Sequence, residues 1–119
     1  MRTPRAVFAA AVAVGIGIAC TSTTSGGNTC ESTGAQQTIN ATDSRSFSPA
    51  TAAVIAGRSV CWQNLGTLTH SVTADNPADS FDVTLPPSYV ATRGSGKLGT
   101  DFHYHCRYHA GMTGVIQAR

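Results

Sequence analysis

Three features of this 119-residue sequence predict an all-β fold, a Greek-key β-sandwich of seven or eight strands. From residue 36 onward, short apolar or alternating runs are separated by turn residues. No stretch carries apolar residues at the helical period over a useful length. Charged residues make up only 12 % of the chain, and Ala, Thr, Ser, Val and Gly dominate, which suits strands and turns better than a helical bundle. The length allows one domain and is too short for two ordinary ones.

The N-terminus reads as an address. "MRTPR" is a short basic region, followed by the uncharged apolar run Ala6 to Ala19. That run is shorter than the about 20 residues needed to cross a bilayer and has the form of a secretory signal, placed at residues 1–19. "IGIAC" then fits a permissive bacterial lipoprotein cleavage site, with Ala19 before an acylated Cys20. Gly17-Ile18-Ala19 also fits ordinary signal cleavage. "TSTTSGGNT" is a flexible polar stretch of the kind an anchored domain needs, so residues 20–35 are expected to be a lipid-anchored tether and 36–119 the folded domain.

Within that domain the expected strands are "QQTINA", "TAAVIAG", "RSVCWQN", "HSVTAD", "SFDVTL", "SYVATR", "TDFHYHC" and "TGVIQA". Ser48-Pro49, Gly57, Asn64 to Gly66, Asn76-Pro77, Pro86-Pro87, Gly94 to Gly99 and Gly111 punctuate them. In "TDFHYHC" strand alternation puts Phe102, Tyr104 and Cys106 on one face and His103 and His105 on the other. Two aromatics in line with the cysteine point Cys106 into the core.

The formal net charge of +2 owes to Arg2 and Arg5 in the leader. Beyond it, Arg45, Arg58, Arg93, Lys97, Arg107 and Arg119 face Glu31, Asp43, Asp75, Asp79, Asp82 and Asp101. A near-neutral chain without a basic stripe excludes nucleic-acid binding as the expected role.

The chemistry concentrates in "YHCRYHAGM", where Cys106, His109 and Met112 stand three apart. Thiolate and thioether together select a soft or borderline metal, and imidazole is compatible with copper. Structural zinc sites use four Cys or His ligands, without Met. Taken singly, Cys106 reads as a structural thiol or half a disulfide, and Met112 as core filler. A second histidine has to come from elsewhere. His103 and His105 point away from Cys106, which leaves His70, at the start of a predicted strand.

With these residues assembled, "FSPATAAVIAGRSVCWQNLGTLTHSVTAD…FD…FHYHCRYHAGMTGVIQA" resembles a plastocyanin-like cupredoxin of the small amicyanin or pseudoazurin kind, over residues 36–119. The resemblance rests on the Phe-Ser-Pro lead-in, the strand ending in Trp-x-Asn, the His-Ser-Val-Thr segment and the Tyr-x-Cys-x-x-His-x-x-Met-x-Gly finish. Thr84 to Gly99 matches nothing in that pattern. The resemblance implies one type 1 copper per chain. His70 and His109 would bind it through imidazole nitrogen, Cys106 through sulfur, and Met112 as the weak axial ligand.

It further implies a one-electron carrier, not an enzyme, working at the cell envelope of a bacterium. The edge of His109 would lie near the surface within an apolar docking patch of Leu65, Leu68, Ala110 and Gly111, and the protein would be a monomer. Asp43 is expected to lie remote from that patch. Two other readings remain: a copper enzyme component with a second metal at His103 and His105, and a copper storage or delivery protein. With Cys106 on copper and Cys20 on lipid, Cys30 and Cys61 are expected to pair in an oxidising compartment. Cys61 would lie on the opposite face of its strand from Trp62. Should Cys20 not be acylated, an odd thiol is left over.

Overall fold

The structure, a computed structural model, describes residues 29–119; the signal segment, Cys20 and most of the polar tether lie outside them. A single turn of 3-10 helix, Cys30–Thr33, leads into nine strands. These are β1 (Gln37–Thr42), β2 (Ser46–Ser48), β3 (Thr51–Val54), β4 (Ser59–Asn64), β5 (His70–Ala74), β6 (Asp82–Leu85), β7 (Val90–Gly94), β8 (Asp101–His105) and β9 (Thr113–Ala118). Eight of them coincide with the runs read from the sequence. The ninth, β2, is three residues long with Phe47 as its single buried side chain, too short for alternation to reveal.

The strands form two sheets, one in the order β2-β1-β4-β7 and the other β3-β9-β8-β5-β6. The pairs β1/β4 and β3/β9 are parallel and the remaining neighbours antiparallel. Period-two alternation sends one face of each sheet inward. Ile39, Ala41, Phe47, Val60, Trp62 and Ala91 come from the first sheet, and Val72, Leu85, Phe102, Tyr104 and Ile116 from the second. Burial in β8 follows the predicted parity, with Phe102 and Tyr104 inside and His103 exposed.

The centre of the core is aromatic. Trp62 meets Tyr104 edge-on at 5.2 Å between centroids, and Phe47 meets Tyr104 at 4.8 Å. Such pairs contribute about 0.5–1.5 kcal/mol each beyond the area they bury. The Trp62 Nε1 and the Tyr104 hydroxyl are both buried without a partner of hydrogen-bond geometry. Burial pushes the Tyr104 phenol up to about 12, which the neighbouring Trp62 indole only partly offsets.

Cys30 and Cys61 are joined in a disulfide, with their Cα atoms 5.6 Å apart. Cys61 lies on the opposite face of β4 from Trp62, as alternation requires, and is fully buried because the Cys30–Thr33 turn covers that outer face. The Cys30 N–H also donates to Gln63 Oε1 at 2.9 Å. Closing a loop of sequence separation 31 contributes about 3.5 kcal/mol through chain entropy.

One glycine in the terminal motif is fixed by packing. A Cβ at Gly114 would stand 2.2 Å from both Cζ and the hydroxyl oxygen of Tyr104, so the phenol ring crosses β9 where only a glycine leaves room. Gly114→Ala is therefore expected to destabilise the fold by about 1–3 kcal/mol, seen as a lower denaturation midpoint. Unchanged stability would show that Tyr104 can move aside at no cost.

Candidate metal centre

His70 opens β5, and β8 ends at His105, one residue before Cys106. These strands pair antiparallel, Thr73 opposite His105 and Ala74 opposite Tyr104. That register carries His70 and Cys106, 36 residues apart in sequence, to the same end of the sandwich. The Ser71 N–H donates to Cys106 Sγ at 3.3 Å, and the Ser71 hydroxyl accepts from the Arg107 N–H at 2.9 Å. One serine thus holds both the sulfur and the residue after it.

The Cys106 N–H donates to the Met112 carbonyl at 2.9 Å, closing the loop between β8 and β9. Within it, the Met112 N–H reaches the His109 carbonyl at 3.3 Å, which turns His109 back over Cys106. The Arg107 guanidinium fastens the loop to β6 from outside, through Asp82 and the Thr84 hydroxyl at 2.6 Å, and it also donates to the Tyr108 hydroxyl within the loop at 3.0 Å.

His70 Nδ1 and His109 Nδ1 lie 3.2 Å apart. Cys106 Sγ is 3.5 Å from His109 Nδ1 and 4.0 Å from His70 Nδ1. His70 and Cys106 are buried, and His109 is half-buried. Met112 is 1 % exposed and belongs to the core cluster that includes Cys106. Among the described residues this is the one group of three or more His, Cys, Asp or Glu side chains whose ligand atoms converge.

The donor chemistry decides what fits there. Two imidazole nitrogens and a sulfur face one another across less than van der Waals clearance for a water molecule. Facing lone pairs repel unless a proton or a metal ion stands between them. Burial, with the charge of His109 as the second cause, lowers the His70 pKa from its ordinary value, while Asp43 and the Thr42 carbonyl oppose the shift. The lowered pKa favours the neutral imidazole, the form that ligates a metal. Its Nε2 is buried with no partner of hydrogen-bond geometry, so the Thr42 carbonyl acts on the ring without making a regular hydrogen bond. Soft sulfur, imidazole and a buried thioether residue fit one copper ion.

His103 is exposed and lines an acidic surface cleft with Asp75, Asp79 and Asp101. His105 is half-buried, and its Nδ1 contacts Asp75 Oδ1 at 2.5 Å. Asp43, expected to be remote, is not: its carboxylate accepts from Thr67 N–H and Leu68 N–H in the segment leading to His70. The Thr-Leu-Thr spacing before His70 gave no hint of that contact, because Asp43 comes from another sheet. The parts of Ser71 and Arg107 are likewise invisible in the sequence, since they depend on backbone register.

No family model matches the chain, and no curated protein matches it. Among solved structures, a purple cupredoxin from Nitrosopumilus maritimus is similar, with a TM-score of 0.59 and 16 % identity, over 70 % of this chain and 99 % of that one. A reduced amicyanin variant is similar at a TM-score of 0.62 and 16 % identity, covering 73 % of this chain and 84 % of its own. A copper-containing nitrite reductase from Thermus scotoductus SA-01 is similar at a TM-score of 0.59 and 18 % identity, over 69 % of this chain but only 22 % of the reductase. With its two-sheet topology and the His70, Cys106, His109 and Met112 residues gathered at one end, the chain is a β-sandwich of cupredoxin fold.

Proposed function

We propose that the protein is a type 1 (blue) copper protein that carries single electrons between redox partners at the bacterial cell envelope. The observation that carries this reading is the convergence of His70 Nδ1, His109 Nδ1 and Cys106 Sγ beside buried Met112. One copper ion held by these four residues would supply a one-electron couple, with the thiolate as its strongest covalent partner.

The chain's own residues do the rest. Three of the four are buried, which keeps bulk water away and presets their positions. The Ser71 N–H bonds the thiolate sulfur, which fixes its orientation and withdraws charge from it. His109, the half-buried member, is the contact with the outside. Leu65, at 66 % exposure, stands at this end of the sandwich with half-buried Leu68 and exposed Ala110 and Gly111. Weak electron-transfer encounters use small interfaces of this kind.

A second reading draws on two observations: His105 directly precedes Cys106, and a copper nitrite reductase shares the fold. A second metal at His103 and His105 would make the chain a component of a copper enzyme. Among the described residues no third side chain of metal-binding type converges on these two, and His105 is already paired with Asp75. Storage or delivery is disfavoured because Cys106, the free thiol among the described residues, and Met112 are buried, an arrangement suited to retention. We place the chain outside the cytoplasm as a monomer held to the membrane by acylated Cys20, a reading supported by the leader and by the paired Cys30 and Cys61. Mass analysis of the N-terminal peptide is expected to find acyl mass on Cys20; an unmodified Cys20 contradicts the anchor.

The copper-loaded protein is expected to be intensely blue or green from thiolate-to-copper charge transfer, and Cys106→Ser to lose that colour. A Cys106→Ser protein that keeps it overturns the ligand assignment. Met112→Gln should stay coloured at a lower reduction potential.

Charge placed at the docking patch should act on encounter rather than on the site. Ala110→Glu is expected to slow reduction by partner proteins while leaving the visible spectrum unchanged. Arg58→Glu, at the far end of the sandwich between β3 and β4, serves as the comparison. Equal slowing by both substitutions would show that electrons do not leave beside His109.

A further inference from the structure

The turn from β1 to β2 brings Asp43 over the segment that presents His70. Its carboxylate takes three donors. The Thr67 N–H reaches Oδ1 at 2.8 Å and Oδ2 at 3.1 Å, the Leu68 N–H reaches Oδ1 at 3.1 Å, and the Thr67 hydroxyl reaches Oδ2 at 3.1 Å. These bonds hold the carboxyl below the usual carboxylate range, the Leu68 N–H being the largest cause and the Thr67 N–H the next.

The contact is built from both sides. The turn that carries Asp43 is closed by the Arg45 N–H on the Thr42 carbonyl at 3.0 Å, with Arg45 in the left-handed region at φ 59°. The Thr42 hydroxyl bonds Ser44 and Ser46 at 2.8 Å each. Beneath the segment, fully buried Asn64 donates to the Leu68 carbonyl at 2.6 Å and the Leu85 carbonyl at 2.9 Å, and accepts from the Gly66 N–H at 3.0 Å. A Cβ at Gly66 would lie 2.2 Å from Asp43 Oδ1 and 2.6 Å from its Cγ. The carboxylate therefore rests on the bare backbone of Gly66. Residues 65–69 are gripped between Asn64 inside and Asp43 outside, and the next residue is His70.

We propose that Asp43 is a positioning residue of the copper site: its carboxylate holds residues 65–69 so that the His70 imidazole faces Cys106 and His109, and its negative charge favours the oxidised state of the metal. This rests on the copper electron-carrier reading. The first role follows from loop geometry, because Thr69 alone separates the bonded residues from the ligand. The second follows from Coulomb's law, because a fixed negative charge stabilises the more positive of two oxidation states. The two roles separate by substitution. Asp43→Asn removes charge and keeps a carbonyl acceptor. Gly66→Ala keeps charge and drives the carboxylate off its seat. Asp43→Ala removes both.

The test uses the full chain and three readouts: amide hydrogen exchange of Thr67 and Leu68 in the copper-free protein, Cu(I) affinity by competition with a Cu(I) chelator, and reduction potential. Asp43→Ala and Gly66→Ala are expected to lose protection at Thr67 and Leu68 and to bind Cu(I) about 10- to 100-fold more weakly, the range for loss of a residue that supports a ligand. Asp43→Asn is expected to raise the reduction potential while keeping most of the affinity. Wild-type affinity in both Asp43→Ala and Gly66→Ala overturns the positioning role, and an unmoved potential in Asp43→Asn overturns the charge role. Should Asp43→Ala fail to fold, the other two variants decide both points. A wild-type chain that takes up no copper overturns the electron-carrier reading and this inference with it. A copper-binding wild type matched by its variants overturns the inference alone.

Discussion

Ser71 points its backbone N–H at the Cys106 sulfur, 3.3 Å away, and takes the next backbone N–H, that of Arg107, on its own hydroxyl. Sheet register and site chemistry become a single constraint at this point. A strand slipped by one residue would turn its side chains to the opposite face. His70 would then leave the interior, and Cys106 would face solvent with His105 in its place. The register is specified by the core, since the same alternation that buries Phe102 and Tyr104 delivers Cys106 beside β5. Stability of the sandwich and placement of the ligands therefore cannot be tuned independently.

The protein brings together groups that repel or cost free energy when left to themselves. A thiol, two imidazoles and a thioether residue gather at the buried end of two sheets. Apart from the Ser71 N–H on Cys106 Sγ, the hydrogen bonds around the site are made by neighbouring backbone and side chains. Asn64 closes the segment before His70 from inside, and Arg107 ties the Cys106–Met112 loop to β6. A frame preset in this way demands little reorganisation when a metal changes oxidation state. Low reorganisation of this kind is what a fast one-electron couple at such a site would require.

Much of this was legible in the sequence, for identifiable reasons. Alternation in "TDFHYHC" assigned Cys106 inward and His103 and His105 outward, because a half-buried strand has only two faces. Cysteine parity led to the Cys30–Cys61 bridge, and strand alternation placed Cys61 opposite Trp62. β2 stayed hidden because three residues with one core contact carry no period. The place of Asp43 beside residues 67 and 68 is not legible in the sequence, because sequence distance says nothing about which turn lies over which loop. The requirement for glycine at 66 and 114 was likewise invisible, since each is set by a side chain from another strand or turn, Asp43 and Tyr104.

X-ray absorption at the copper edge in both oxidation states tests whether His70, Cys106, His109 and Met112 make one copper site serving a one-electron couple. One short sulfur scatterer and two imidazole nitrogens, nearly unchanged in distance on reduction, is the predicted result. A shell of nitrogen and oxygen alone, or one that gains or loses ligands between Cu(II) and Cu(I), would contradict it.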